Sequence, residues 1–135
     1  MDKNEIILCD SNVMIDWINH RQKAIDDLQW IERHIAISII TEYEIIAGAK
    51  DMAMQRHFEK LLNHYPVVMV DNNISFLGIN LYKKYKLSHG LDMPDSLIAA
   101  TAIELNFLLF TYNTKDFHYI PGLQLYKPLN KNFSS

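Results

Sequence analysis

Four carboxylates stand where chemistry could be done, each at the end of an apolar run or the opening of a helical pattern. They are Asp10 in IILCDSNVMID, Glu44 in SIITEYEIIAG, Asp95 in HGLDMPDSLIAATAIELN and Asp116 in LLFTYNTKDF. A desolvated carboxylate without a partner is costly, so acidic residues bedded in apolar sequence are kept mainly where a cation needs oxygen ligands. Magnesium and manganese take carboxylates and water. The pattern points to metal-dependent hydrolysis of a phosphodiester, in which two ions about 3.5–4 Å apart can activate a water and support the leaving oxygen. Asp10, closing a buried strand, is the expected central ligand. Asp95 and Asp116 would complete the set, directly or through water, and Glu44 would either ligate or orient the attacking water. Thr111 and Asn113, alternating on the approach to Asp116, could hold water or carboxylate oxygens around it.

Each residue also has a plainer reading. An Asp in the first turn of a helix, as Asp95 is, often only complements the helix dipole. Asp116 fits a turn or cap, and Glu44 could face solvent. Glu42 competes with Glu44, but two residues apart on a helix both cannot easily point inward. The joint pattern is far more specific than any member. A phosphatase with a D-x-D strand end is disfavoured because Asn12, not Asp, stands two residues after Asp10. The six histidines show no H-E-x-x-H spacing, and His57 and His64 read as solvated. The four glycines form no phosphate-cradling loop. Lys83, Lys84 and Lys86 make a basic cluster that reads first as a solvated helix face.

The elements that must position these residues alternate between strand and helix. Strands are expected over 6–9, 35–39, 66–70 and 108–111, with a short fifth over 123–126. Helices are expected over 12–18, 22–33, 52–64 and from about 73 to 87. Thr41 is placed to cap the helix carrying Glu44, which Gly48 ends or bends. His89-Gly90 supplies a turn, and Pro94 opens a helix packing through Leu97, Ile98, Thr101 and Leu105. Continuously apolar strands alternating with helices indicate an α/β fold, a mostly parallel sheet covered on both faces. Ligands in such sheets sit beyond the carboxyl ends of the strands, where Asp10, Glu44 and Asp116 would be delivered.

The chain has 135 residues, 49% hydrophobic and 21% charged, which suits a single domain over 1–135 with a sizeable core. Its one cysteine, Cys9, excludes a disulfide framework and reads as a buried hydrophobe. No apolar stretch approaches the roughly 20 residues of a membrane span. The opening Met-Asp-Lys-Asn-Glu lacks the features of a signal peptide, so a cytoplasmic protein without a membrane partner is expected. The net charge of −3 is no obstacle to a nucleic-acid substrate. With the four site carboxylates set aside, 12 of the 16 acidic residues remain against 13 basic ones.

DSNVMIDW resembles the opening of PIN-domain ribonucleases, specifically the VapC toxins of type II toxin–antitoxin pairs. The resemblance continues in ITEYEIIAG, with Glu44 three after Thr41 and four before Gly48, and in PDSLIAATAIELN. It closes on TYNTKDFHYIPGL, which is similar to the family's T-x-N-x-x-[DE]-F signature, so it spans Ile7 to about Tyr126. It implies a three-layer α/β/α sandwich with a mostly parallel sheet of about five strands, usually as a homodimer. It also implies an acidic quartet of Asp10, Glu44, Asp95 and Asp116 around magnesium or manganese, supported by Thr111 and Asn113. The implied activity is endonucleolytic cleavage of RNA, often structured RNA such as tRNA, blocked by a cognate antitoxin. A catalytically idle RNA- or protein-binding module of the same fold is the alternative. Tyr112 stands where relatives often carry Arg or Asn, which bears on a phosphate contact rather than on the metal site.

Overall fold

The computed structural model describes residues 5–128; Met1–Asn4, where most of the leader reading falls, lie outside the described residues. Four short strands, β1 (Ile7–Cys9), β2 (Ile35–Ser38), β3 (Val67–Val68) and β4 (Leu108–Phe110), form one sheet in the order β3-β2-β1-β4. Every pairing is parallel, with Leu8 opposite both Ala36 and Leu109. The expected fifth strand is reduced to a single parallel bridge between Leu109 and Leu125. Between the strands run α1 (Ser11–Ile18), α2 (Gln22–Trp30), α3 (Ile39–Ala47), α4 (Met52–Leu62), α5 (Asn72–His89) and α6 (Met93–Leu105).

The alternation of side chains along a strand sorts the core into two halves. Ile7, Cys9, Ile35, Ile37 and Phe110 point to one face, where Val13, Met14, Leu28, Ile31, Ile45 and Leu62 from α1 through α4 and their connections close over them. Leu8, Ala36 and Leu109 point to the other, against Ile74, Leu81, Ile98, Ala99 and Ala102 of α5 and α6. This is the three-layer sandwich. Each fully buried Ile or Leu is worth about 1.5–3 kcal/mol, so strands of three or four residues suffice when both faces are covered. Gly78, buried on α5, lets α6 approach so closely that a Cβ there would meet Leu97 Cδ2 at 2.8 Å.

Several helix boundaries differ from expectation for local reasons. Ser38, not Thr41, caps α3, its hydroxyl accepting from Ile40 N at 3.0 Å. Thr41 lies a turn further in and is fully buried. The second helix stops at Trp30, and Glu32–His34 forms a tight 3-10 turn leading into β2. Leu105, expected on the packing side of α6, is 39% exposed. Gly90 ends α5 in the left-handed region at φ 68°, which glycine adopts without Cβ strain. Among the described residues no helix is long and apolar enough to cross a membrane.

Candidate active site

The chain builds β1, β2 and β3 outward on one side and then returns to place β4 on the other side of β1. The carboxyl ends of β1 and β4 therefore flank the point where the sheet order reverses, the usual ligand position in such folds. Asp10 follows β1 directly and caps α1, accepting from Ser11 N at 2.7 Å. Its second oxygen accepts from Thr111 Oγ1, just past β4, at 2.8 Å. The carboxylate is only 5% exposed. Burial pushes its pKa up to about 6, against the two hydrogen bonds, with Glu44 and Asp92 adding to the rise.

Ser11 extends the cluster to α3. Its Oγ lies 2.6 Å from Glu44 Oε1 and 3.0 Å from Thr41 Oγ1, and its single hydrogen serves one of them at a time. Glu44 is thus tied through Ser11 to the segment that carries Asp10, whereas Glu42 lines a separate cleft with Tyr43, Glu59 and Asn63. Asp95 lies in the first turn of α6, whose N-cap Asp92 accepts from Asp95 N at 2.9 Å. Its pKa is pushed up to about 7, first by desolvation and then by Asp10, Asp92, Asp116 and Glu44. These four carboxylates all act in the same direction. Asp116 is exposed and closes the 3-10 turn Thr114–Asp116, its N–H donating to Asn113 O at 3.0 Å.

The donor set is carboxylate and hydroxyl oxygen, which suits a hard divalent cation. As they stand, however, no three His, Cys, Asp or Glu side chains among the described residues form a group that could hold a metal ion. Glu44 is turned aside onto Ser11, and Asp10 is held by Thr111 and its own helix.

Three contributors escaped the sequence reading. Ser11 bridges two carboxylate segments. Asn12 straps α1 to the segment after β4, donating to Thr111 Oγ1 and accepting from Tyr112 N, each at 3.2 Å. With Asn113 N also donating to it at 3.0 Å, the Thr111 hydroxyl has both lone pairs engaged and its proton free for Asp10. Asp92 acts on both Asp10 and Asp95. All three stand within three residues of an acidic residue already singled out, the one signal that could have found them. Asn113, expected to support the site through its side chain, contributes through its backbone N–H and C=O. Tyr112 turns away from the site: its hydroxyl donates to Asp27 Oδ2 at 2.8 Å, beside Lys23 Nζ at 3.1 Å.

An aromatic cluster borders the acidic edge. Tyr119 feels Asp116, Asp95 and Asp92, which together with burial raise its pKa, and its buried hydroxyl has no hydrogen-bond partner among the described residues.

The PIN domain family model matches residues 7–123. The chain belongs to the PIN-domain family. Relatives it is similar to include VapC proteins. Ribonuclease VapC19 of Mycobacterium tuberculosis is 34% identical over 91 residues, 67% of this chain and 72% of that protein. Ribonuclease VapC1 of Methanocaldococcus jannaschii is 32% identical over 123 residues, 89% of this chain and 86% of that protein. A toxin–antitoxin complex from Klebsiella pneumoniae contains a chain with the same fold, at TM-score 0.73 and 32% identity. That match covers 91% of this PIN domain and 99% of its counterpart. The three-layer sandwich with a parallel sheet is the PIN fold, here with four strands.

Proposed function

We propose that this VapC-type PIN domain is the toxin of a type II toxin–antitoxin pair and a metal-dependent endoribonuclease. The observation that carries the reading is Asp10, buried at the carboxyl end of β1 and tied through Thr111 to the segment after β4 and through Ser11 to Glu44, in a chain 32–34% identical to VapC ribonucleases. Asp95, in the first turn of α6, is raised to about 7 by burial and then by Asp10, Asp92, Asp116 and Glu44. Such a cluster is costly unless divalent cations neutralise it.

In this reading Asp10, Glu44, Asp95 and Asp116 hold magnesium or manganese. The ion supplies a Lewis acid for the phosphoryl oxygens and a water of lowered pKa. Asp10 is fixed by Ser11 N and by Thr111, whose own orientation depends on Asn12 and the Asn113 N–H. Glu44, held by Ser11, would either ligate the ion or orient the attacking water. The substrate is RNA, with tRNA and other structured RNAs as the finer expectation. One PIN domain accounts for the chain.

The partners are a cognate antitoxin, as the Klebsiella pneumoniae complex suggests, and a second copy of the chain. Exposed Phe76, Ile79 and Leu87 on α5 and Met93 at the start of α6 offer apolar surface for the homodimer. A cytoplasmic location is part of the same proposal.

Cleavage mapping on total cellular RNA, with manganese and with excess chelator, tests the proposal. Wild type should cut at discrete sites only with the metal, and Asp10→Asn should cut at none. Binding of RNA without cleavage under any metal condition would favour the idle module instead.

A further inference from the structure

The acidic cluster and the cations proposed for it would engage the cleaved phosphate, whereas the bases flanking that phosphate need an aromatic surface to stack on. The aromatic cluster beside the carboxylates has the chemistry for it. His89 stacks on Tyr119 with ring centroids 3.9 Å apart and planes 14° from parallel. Tyr85 packs steeply against both, at 5.6 Å from His89 and 5.1 Å from Tyr119. Ser88 Oγ lies 2.8 Å from His89 Nδ1 and fixes the rotation of the imidazole. The ring is thus held in place by three neighbours, yet His89 remains exposed.

Its location is set by the same segments that carry the acidic cluster. His89 precedes Asp92 by three residues, and Tyr119 follows Asp116 by three. Tyr119 lies within electrostatic reach of Asp116, Asp95 and Asp92. Exposed Lys115 and His118 stand on the same stretch, where phosphates flanking a bound base could be met. We propose that His89, stacked on Tyr119 at the edge of the acidic cluster, is the platform on which a base of single-stranded RNA beside the cleaved phosphodiester stacks. Unstacked bases are characteristically recognised on Phe, Tyr, Trp or His rings, and a ring already immobilised loses little entropy on accepting one.

The inference rests on the ribonuclease reading, and its test separates the two. The probe is a single-stranded oligoribonucleotide with 2-aminopurine next to a mapped cleavage site, given to wild type, His89→Ala and His89→Phe. Loss of one base–aromatic stack should raise KM about 5- to 150-fold in His89→Ala, with kcat changed less than about twofold. The quenching of 2-aminopurine on binding should disappear with it, and His89→Phe should restore both. Melting of His89→Ala should fall only by the few degrees that one lost ring contact implies, leaving it folded at assay temperature, and His89→Phe should melt close to wild type. If wild type cleaves but His89→Ala keeps its KM and its quenching, the platform is wrong and the nuclease reading stands. A fall in kcat at constant KM would make the stack a structural tie and also overturn the proposal. A wild-type protein that neither cuts nor quenches would overturn both readings.

Discussion

Replacing Asp95 by Asn should stabilise the metal-free protein at pH 8, even though it removes a residue proposed to be essential. The Asp95 pKa rises from 3.8 to about 7 on folding. At about 1.4 kcal/mol per pH unit the nominal penalty for ionising it in the folded state is ~4 kcal/mol. Asp95 is only partly buried and shares its repulsion with Asp10, so solvent screening reduces this to ~1–2 kcal/mol. The favourable interaction of an acid with a helix N-terminus, about 0.3–1 kcal/mol, offsets some of the gain from the substitution. No hydrogen bond of the Asp95 side chain stands in the way, because the bond at this position is made by its backbone N–H.

A raised carboxyl pKa has a definite consequence for stability against pH. Below 3.8 folded and unfolded chains are both protonated at Asp95, and wild type and variant should be equally stable as far as this group is concerned. Between 3.8 and about 7 the unfolded chain releases a proton that the folded chain keeps, so wild-type stability falls. Above 7 the deficit is complete. Thermal melts in excess chelator at pH 4, 6 and 8 should show Asp95→Asn ahead by a few degrees at pH 8, with the gap closing toward pH 4. A variant that melts below wild type at pH 8, or a gap independent of pH, would refute the electrostatic account of this cluster.

Thr111→Val should cost about 2–3 kcal/mol in urea denaturation, because Asn12 Nδ2 and Asn113 N lose their acceptor and Asp10 loses a donor. A value near zero would mean that the Asn12 strap is not formed in solution. Tyr112→Phe should cost about 1–2 kcal/mol, since Asp27 is 7% exposed and keeps only Lys23. Its manganese affinity, read by titration calorimetry, should stay at the wild-type value because Tyr112 faces away from the carboxylates.

What the sequence made legible and what it hid divide along physical lines. The strands at Ile7, Ile35, Val67 and Leu108 were readable because burial on both faces demands continuous apolar runs. The segment at Leu125 resembled them but makes only one bridge, with Leu123 and Leu125 packed on one half of the core and Tyr126 on the other. Thr41 and Ser38 are both competent caps three residues apart. The choice fell to Ser38 because the strand runs directly into the helix, leaving Thr41 to meet Ser11. Acidic residues at strand ends stood out because they are expensive there. Ser11, Asn12 and Asp92 did not, because short polar residues beside a helix start are ordinary capping material. Their part in the cluster emerges only when β1, α3 and the segment after β4 come together. The His89–Tyr119 stack was likewise hidden, its members thirty residues apart in sequence and joined only by the packing of α5 against the segment after β4.

The central claim, that four carboxylates from separate segments jointly hold a divalent cation, is tested most directly by manganese binding followed by electron paramagnetic resonance. Wild type, Asp10→Asn, Glu44→Gln, Asp95→Asn and Asp116→Asn would be titrated alongside Glu42→Gln, which lies on a different cleft. The account predicts affinity reduced about tenfold or more by Asp10→Asn and Asp95→Asn, measurably reduced by Glu44→Gln and Asp116→Asn, and unchanged by Glu42→Gln. Undiminished manganese binding in Asp10→Asn and Asp95→Asn would contradict it.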